Sequence, residues 1–557
     1  MKRKLFKILF SLLGVFLVLV GSYSLSFKQK VNDLSLQSYY KKGVFHIHSS
    51  FSDGRGSIAE ISRNAKRSNL DFVILTDHGR PNLAAAAATS WINDILLIGA
   101  SEFSLNEGHL AAAGYQIPSY IFPPEAREAI NEVNRDQGIT FISHPHDRKI
   151  PWTAWQVRGF TGIEIMSLYQ MAKKNLLYGM TFFPLQYLFN PDQALTSLIS
   201  YPEKEMRIWD RFNRIGKYFG IYALDSHAKL QINNKFSLHF PSYGATFQIL
   251  NIYVKVEREL EKDPHSAAAA IIAAMRSGNF FNVIESLAPA NGFENVYRER
   301  DGRLVDMGGD AQNPGGTLIF KLPFAFATDI VVKKNGEIFK IIRANNLQEL
   351  SVPISRAGVY RSEISLAAGR FNKLPWIMTN PIYVAQSALE KVAPENVTAI
   401  IPAEDENYFR VEKNSRSNGV LLWDAQGEED PITGLNFTLQ PEAPGQVDFW
   451  VALAHRQKLA AAGCRGFVFE ARAGTRMRFW LQFRTGSGRG EAAYQHSFLV
   501  EETWRKIAIP FSNFHCLYGQ PALPDPDAIN AFFFLIDNGN AFPGAQGEIF
   551  FRQIGLY

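Results

Sequence analysis

Nine side chains of metal-binding type stand out by where they fall: His46, His48, Asp53, His78, Glu102, His109, His144, Asp225 and His227. Most lie at the end of a short apolar run: GVFHIHS, DFVILTDH, ILLIGASEFS, GITFISHP and GIYALDSH. A lone histidine is more often a core or surface residue than a ligand, and that plain reading suits His239, His265, His455, His496 and His515, which share no pattern. It does not suit five separate segments that each end in an imidazole or a carboxylate. Imidazole with carboxylate is the donor set for zinc, iron or manganese rather than calcium. Two or three such ions side by side activate water as a nucleophile and neutralise charge on a phosphoryl or carbonyl oxygen, so no side chain need attack.

The elements that must position these residues are legible too. The apolar runs are short, rich in β-branched and aromatic residues, and bounded by polar residues or glycine, as strands are. His46 and His48 are two apart, so regular strand alternation would turn both imidazoles to one face. Helix signals lie between the runs. Ser57 caps a segment to Ser68, with Glu60 three residues on. Pro124 to Gln137 ends before Gly138, and His265 to Ser277 ends before Gly278. Strand and helix alternating from residue 43 to about 290 predict a parallel α/β sheet or barrel, whose strand ends converge on one mouth. Residues 167–215 carry no strand signal and read as helical insertions.

HIHSSFSDG, LTDH, the segment from Glu102 to His109, SHP and DSH occur in order and resemble the successive motifs of the polymerase and histidinol phosphatase (PHP) superfamily of metal-dependent hydrolases. The resemblance spans about residues 43–285. It implies a distorted (β/α)7 barrel with up to three metal ions. His46, His48, Glu102 and Asp225 would hold the first; Glu102 as a bridge, His109 and His144 the second; Asp53, His78 and His227 the third. Asp77 would orient a ligand from behind the site. His146 is a candidate proton donor to the leaving group, against the plain reading of a loop residue. Arg80, Arg148 and Lys229 follow three of the motifs and, with Arg55, are candidate partners for substrate charge, although an arginine after a strand is usually only solvated.

After residue 290 the texture becomes all-β. Residues 310–390 predict a small sandwich with a hairpin at Lys334-Asn335-Gly336. Its GVY and PWIMTNPIY segments resemble the β-sandwich that follows the barrel in exported members of the superfamily, some of which cleave carbamates or carboxylic esters. Residues 400–557 predict a larger jelly-roll that weakly resembles carbohydrate- or galactose-binding sandwiches. Trp423, Trp450, Trp480 and Trp504 could stack on sugars, but aromatic residues dominate cores, and core packing is the expected role.

The chain has 557 residues, enough for two to four domains. A net charge of +5 and the absence of a basic stretch beyond the first residues argue against nucleic acid as a partner. Two cysteines, Cys464 and Cys516, exclude a disulfide scaffold and leave open one bridge or two free thiols. Lys2, Arg3, Lys4 and Lys7 precede an uncharged apolar run, Ile8 to Phe27. Such a segment predicts export, with residues 1–27 an uncleaved membrane anchor or, alternatively, a cleaved signal peptide. The expected protein is thus an exported or membrane-anchored phosphoesterase with two or three divalent metal ions. A carboxylic ester or carbamate hydrolase and a non-catalytic glycan-binding protein of the cell envelope are the alternatives.

Overall fold

The computed structural model describes residues 40–557 except 176–182, 234–235, 324–326, 345–348, 368–370, 372, 386–398, 401–408, 425–431, 442–448, 460, 462, 487–490 and 519–525, with only isolated positions before residue 40. The expected anchor or signal at 1–27 therefore lies outside the described residues, apart from those isolated positions. Among the described residues no helix is long and apolar enough to cross a membrane. The chain divides into two compact units, Met1–Gln116 with Pro124–Leu389, and Ile117–Pro123 with Glu390–Tyr557.

The first unit is mixed α/β with parallel strands. Strand β1 (Tyr40–Ile47) pairs in parallel with β2 (Phe72–Leu75), and β2 with β3 (Ile95–Leu105). β3 turns back into β4 (Gly108–Ala113), which runs antiparallel to β5 (Ile139–Ile142). β6 (Gly162–Ser167) and β7 (Phe219–Ala223) then continue in parallel. Hydrogen bonds from Leu224 N to Phe45 O (3.0 Å) and from His48 N to Ser226 O (3.0 Å) join the end of β7 to the end of β1. The seven strands therefore close into a ring. Its apolar filling includes Phe45, Ile74, Ile98, Phe141 and Ile221, all buried. Burial of whole strands explains why their sequences are continuous apolar runs rather than alternating ones.

The three expected helices form. α1 (Ile58–Arg67) has Ser57 as its cap, accepting from Glu60 N at 3.3 Å. α2 spans Ala126–Arg135, and a later helix spans Pro264–Arg276 with Gly278 beyond it at φ 78°. The 167–215 insertion is helical, ending in α3 (Glu203–Asn213). Strict strand–helix alternation, however, fails at β3–β4, a direct hairpin through Gly108 at φ 131°.

The edge expected near residue 290 is crossed by sheet pairing. β8 (Leu250–Lys255) runs antiparallel to the first half of β1, β9 (Phe280–Ile284) antiparallel to β8, and Phe281 of β9 pairs with Thr379 of a strand at Ile377–Thr379. Two buried asparagines supply the hydrogen bonds that a regular ladder would. Asn282 accepts from Tyr222 N (2.7 Å) and donates to Gly220 O (2.9 Å), while Asn380 accepts from Gly220 N (2.8 Å) and donates to Phe280 O (3.0 Å). The all-β stretch expected as a separate sandwich at 310–390 is thus split. Some strands extend the sheet of the ring, and Glu294–Arg298, Leu304–Asp306, Thr317–Lys321 and Glu349–Pro353 form a four-stranded antiparallel sheet. The Asn335-Gly336 turn forms as expected, with both residues at positive φ (53° and 88°).

The second unit holds two six-stranded antiparallel sheets around one core that includes Phe467, Phe469, Phe479, Phe532, Phe534 and Phe551. The rings of Phe534 and Phe551 stack at 3.9 Å. Ile117–Pro123 joins this unit, through a bridge between Tyr120 and Ala541. Core packing accounts for Trp480, which is buried, and in part for Trp450, which packs half-buried against a small cluster of Ala452, Ala454, Ala531 and Phe533. Trp450 and Trp480 lie outside that inter-sheet core, Trp480 donates its indole N–H to Asp537 (2.8 Å), and Trp504 carries the Arg552 guanidinium 4.5 Å above its ring. The side chain of Trp423 lies outside the described residues. Cys464 and Cys516 are free thiols.

Candidate metal centre

The ring sets its ligand-type side chains at the C-terminal ends of β1, β2, β3, β5 and β7. Local backbone does much of the aiming. His46 sits at φ 68°, His144 at 28° and Asp225 at 51°, a left-handed region that non-glycine residues rarely occupy and that clusters at functional sites. The pairing of β1 with β2 slips between Val44 and Ile47. His46 and His48 therefore face each other through a kinked strand end, with their Nε2 atoms 3.1 Å apart, rather than by the regular alternation expected. The loop after His48 turns back tightly: a Cβ at Gly54 would lie 2.3 Å from His48 O, so only glycine fits. The hairpin places His109 opposite Ser104, next to Glu102.

All nine expected side chains come together, with Glu102 at the centre. Its Oε1 lies 3.0 Å from His144 Nε2 and 3.1 Å from His109 Nδ1. Its Oε2 lies 3.3 Å from His46 Nε2, 3.4 Å from His48 Nε2 and 3.2 Å from His78 Nδ1. Asp225 Oδ1 is 3.5 Å from His48 Nε2 and 3.7 Å from His46 Nε2. Asp53 Oδ1 is 3.2 Å from His227 Nε2 and 3.8 Å from His78 Nε2. Three overlapping groups have their ligand atoms within 4.8 Å of one another: His46, His48 and Glu102; His48, Asp53, His78 and His227; His78, Glu102 and His109.

These residues fit metal ions. His48 Nδ1 is shut off from solvent without a hydrogen-bond partner; Asp53 Oδ1, at 3.6 Å, is too far for one. A buried polar atom left so is costly unless something else satisfies it. Three carboxylates, Asp53, Glu102 and Asp225, converge with the imidazoles, and buried charges of this kind call for a cation or another partner. The electrostatics agree. Burial disfavours charge on Glu102, but His46, His109 and His144 outweigh it and hold the carboxyl well below its usual range. Asp53 and Asp225 are lowered in the same way, by His227 and by His46 and His48. Burial opposes charge on His46 as well, yet Glu164, Glu102 and Asp225 raise it well above the ordinary value, while burial prevails at His48 and brings it down to about 4.

Asp77 accepts from Ser49 N (2.9 Å), Ser49 Oγ (2.8 Å) and Ser52 Oγ (2.6 Å), so it fixes the loop that leads to Asp53 rather than an imidazole. His146 Nδ1 lies 3.0 Å from Glu205 Oε1. Arg80 is half-buried with Glu125 as an opposing charge, and Arg148 is exposed. Lys229 Nζ donates to Asp53 O (3.2 Å), at the edge of the cluster, and Arg55 donates to Ser237 O (2.8 Å).

Sequence reading missed two residues. Tyr243 donates to His48 O (2.7 Å) and accepts from Gly56 N (3.1 Å), bracing the ligand loop. Glu164 is fully buried in β6, with Oε1 2.5 Å from His46 Nδ1 and Oε2 accepting from His144 N at 2.7 Å. The available signal was a glutamate inside the otherwise apolar run GIEIM, since such a residue is almost never buried without a partner.

No protein-family model and no curated protein matches the chain. Solved structures show likenesses. A two-domain protein containing a predicted PHP-like metal-dependent phosphoesterase from Bacteroides vulgatus is 15% identical, with 64% of this chain and 98% of that chain covered and a TM-score of 0.31. The family 11 carbohydrate-binding module from Clostridium thermocellum, in complex with a β-1,3-1,4-mixed-linked tetrasaccharide, is 15% identical over 29% of this chain and 96% of its own, with a TM-score of 0.24. The family 30 module of the cellulosomal cellulase Cel9D-Cel44B of Clostridium thermocellum is 12% identical over 29% of this chain and 94% of its own, with a TM-score of 0.21. The chain thus has a structural match over 64% of its length to a two-domain protein containing a predicted PHP-like metal-dependent phosphoesterase, and its C-terminal part is similar to carbohydrate-binding β-sandwiches.

Proposed function

We propose that this chain is a metal-dependent phosphoesterase, a phosphatase or phosphodiesterase that cleaves its substrate with water. The observation that carries this reading is Glu102, whose two oxygens face different imidazoles, His109 and His144 on one side and His46, His48 and His78 on the other. A carboxylate so divided is suited to bridge cations. The ions, two or three of zinc, manganese or iron, would be held by the nine residues described. When bound they supply an activated water and neutralise charge on the reacting group. The protein's part is to hold the imidazoles, shield them from bulk water and bring substrate charge to Lys229 at the edge. Arg80 and Arg148 are assigned to substrate positioning and His146 to the leaving-group proton. Hydrolysis of p-nitrophenyl phosphate and its bis-ester, lost on chelation and restored by metal, tests the reading. Naphthyl ester or carbamate turnover without phosphate-ester turnover would move the substrate class to carboxylic esters.

A second role is proposed for the C-terminal unit. Trp450 and Leu535 are half-buried outside the core shared by the two sheets, packed against the buried Phe533, and a half-exposed indole of this kind suits stacking on a sugar. Retention of the full chain on β-glucan, weakened by Trp450→Ala, would support it; a glycan-binding chain without metal or hydrolysis would favour the non-catalytic alternative. We also place the chemistry outside the cytoplasm, on the strength of the charged and apolar first 27 residues. Fractionation of cells that express the full chain tests this.

A further inference from the structure

We infer that Glu164 is a positioning residue that clamps two metal positions at once. The inference rests on the metal-site reading above and deepens it. Glu164 is 0% exposed, and each of its oxygens serves a different expected ligand set. Oε1 meets the side chain of His46, whose Nε2 faces His48 and Glu102. Oε2 takes the backbone N–H of His144, whose Nε2 faces the other oxygen of Glu102.

Two features make this more than a satisfied buried carboxylate. His46 and His144 both have positive φ, a conformation that non-glycine residues hold only when the surroundings enforce it. Glu164 holds one by its ring and the other by its main chain. Further, a hydrogen bond from His46 Nδ1–H to a carboxylate leaves the lone pair on Nε2, the atom that points into the cluster. Both partners of Glu164 are donors, so both positions of its head group must accept. Glutamine has the same shape with one acceptor and one donor group. If its oxygen serves His144 N–H, its NH2 meets His46 Nδ1 and forces the proton to Nε2, facing the metal. If its oxygen serves His46, the His144 N–H meets another donor. Either way one set is damaged.

The test is metal binding by the full-length chain, stripped with chelator and titrated with Zn2+ or Mn2+ by calorimetry, with metal counted by mass spectrometry. Glu164→Gln should keep its far-UV circular dichroism and lose about 10–100-fold in affinity at one or more positions. Glu164→Asp, which is too short to reach both partners, should fall between. A variant that binds as many ions as wild type with the same affinity overturns the clamp. Histidine-labelled wild type gives a readout that does not depend on the variant folding: on Zn2+ loading the 15N shifts of His46 should show Nδ1 protonated and Nε2 unprotonated and bound to metal, and the opposite tautomer overturns the inference. Wild type that binds no metal would instead overturn the metal-site reading on which it rests.

Discussion

Oε1 of Glu102, on β3, lies 3.0 Å from Nε2 of His144, which follows β5, although β4 separates those two strands in the sheet. The side chains therefore reach across the mouth of the ring, and Glu102 is common to ligand groups on both sides. Glu102→Gln should remove more than one metal ion per chain and lower kcat/KM by at least about 100-fold, as loss of charge stabilisation at a reacting centre does. Metal counting on the purified variant checks this. Loss of a single ion with activity retained would mean that Glu102 does not bridge.

Lys229 is the cation tied to the cluster's edge through Asp53 O. If it meets substrate charge, Lys229→Ala should raise KM for a phosphate ester about tenfold, the size of one charge-assisted hydrogen bond, with metal content unchanged. Steady-state kinetics beside metal counting separates this outcome from damage to the Asp53 loop, which would lower both.

Arg361, 2% exposed, holds Asp210 of α3 with two 2.7 Å bonds and Glu363 with one. Arg361→Ala takes the guanidinium from Asp210, while Glu363 keeps Lys333 and Tyr201, and should cost about 3–5 kcal/mol in urea unfolding, whereas Arg361→Met together with Asp210→Leu should cost less.

The same network sets a pH dependence. Burial raises Glu363, but Arg361 and Lys333 outweigh it, and its folded-state pKa lies below the ordinary value. A depressed carboxyl stabilises the fold above its unfolded pKa and loses that stability as pH falls through the folded one. Wild-type stability should thus decline as pH drops below about 4.3, and Glu363→Gln should flatten that decline. Thermal unfolding across pH 3 to 7, on the metal-free chain so that ligand protonation does not contribute through binding, makes the comparison.

In the second unit the stacked pair Phe534 and Phe551 is wholly buried. Phe534→Ala should cost about 3–5 kcal/mol. Because the nine ligands belong to the other unit, metal binding should survive the substitution.

Most of the nine ligand residues were legible because they end a strand whose apolar run is visible in the sequence, and because parallel strands deliver their ends to one side; Asp53 and His109 follow close behind two of those ends. The capped helices at Ser57 and before Gly278 were legible for the same local reasons. What was not legible depends on long-range pairing. The pairing of β9 with Ile377–Thr379 carries the sheet past residue 290, and nothing near Asn282 and Asn380 in the sequence says that their amides tie β7 to it in place of a ladder. Glu164 serves residues 118 and 20 positions away, and only its oddness among apolar neighbours hints at it. The positive φ of His46 replaced the regular alternation that two residues in a strand suggest. Residue type alone predicts burial for Trp480, and its burial is found, but which sheet face it takes follows from register.

The central claim is that the cluster around Glu102 holds catalytic metal. The most direct measurement is the metal content of the purified full-length chain beside its phosphodiesterase activity, before and after chelation and after metal is returned. The account predicts two or three transition-metal ions per chain, activity that disappears with them, and recovery when they are restored. A chain that takes up no metal after stripping, or whose hydrolysis is unchanged by complete metal removal, would contradict it.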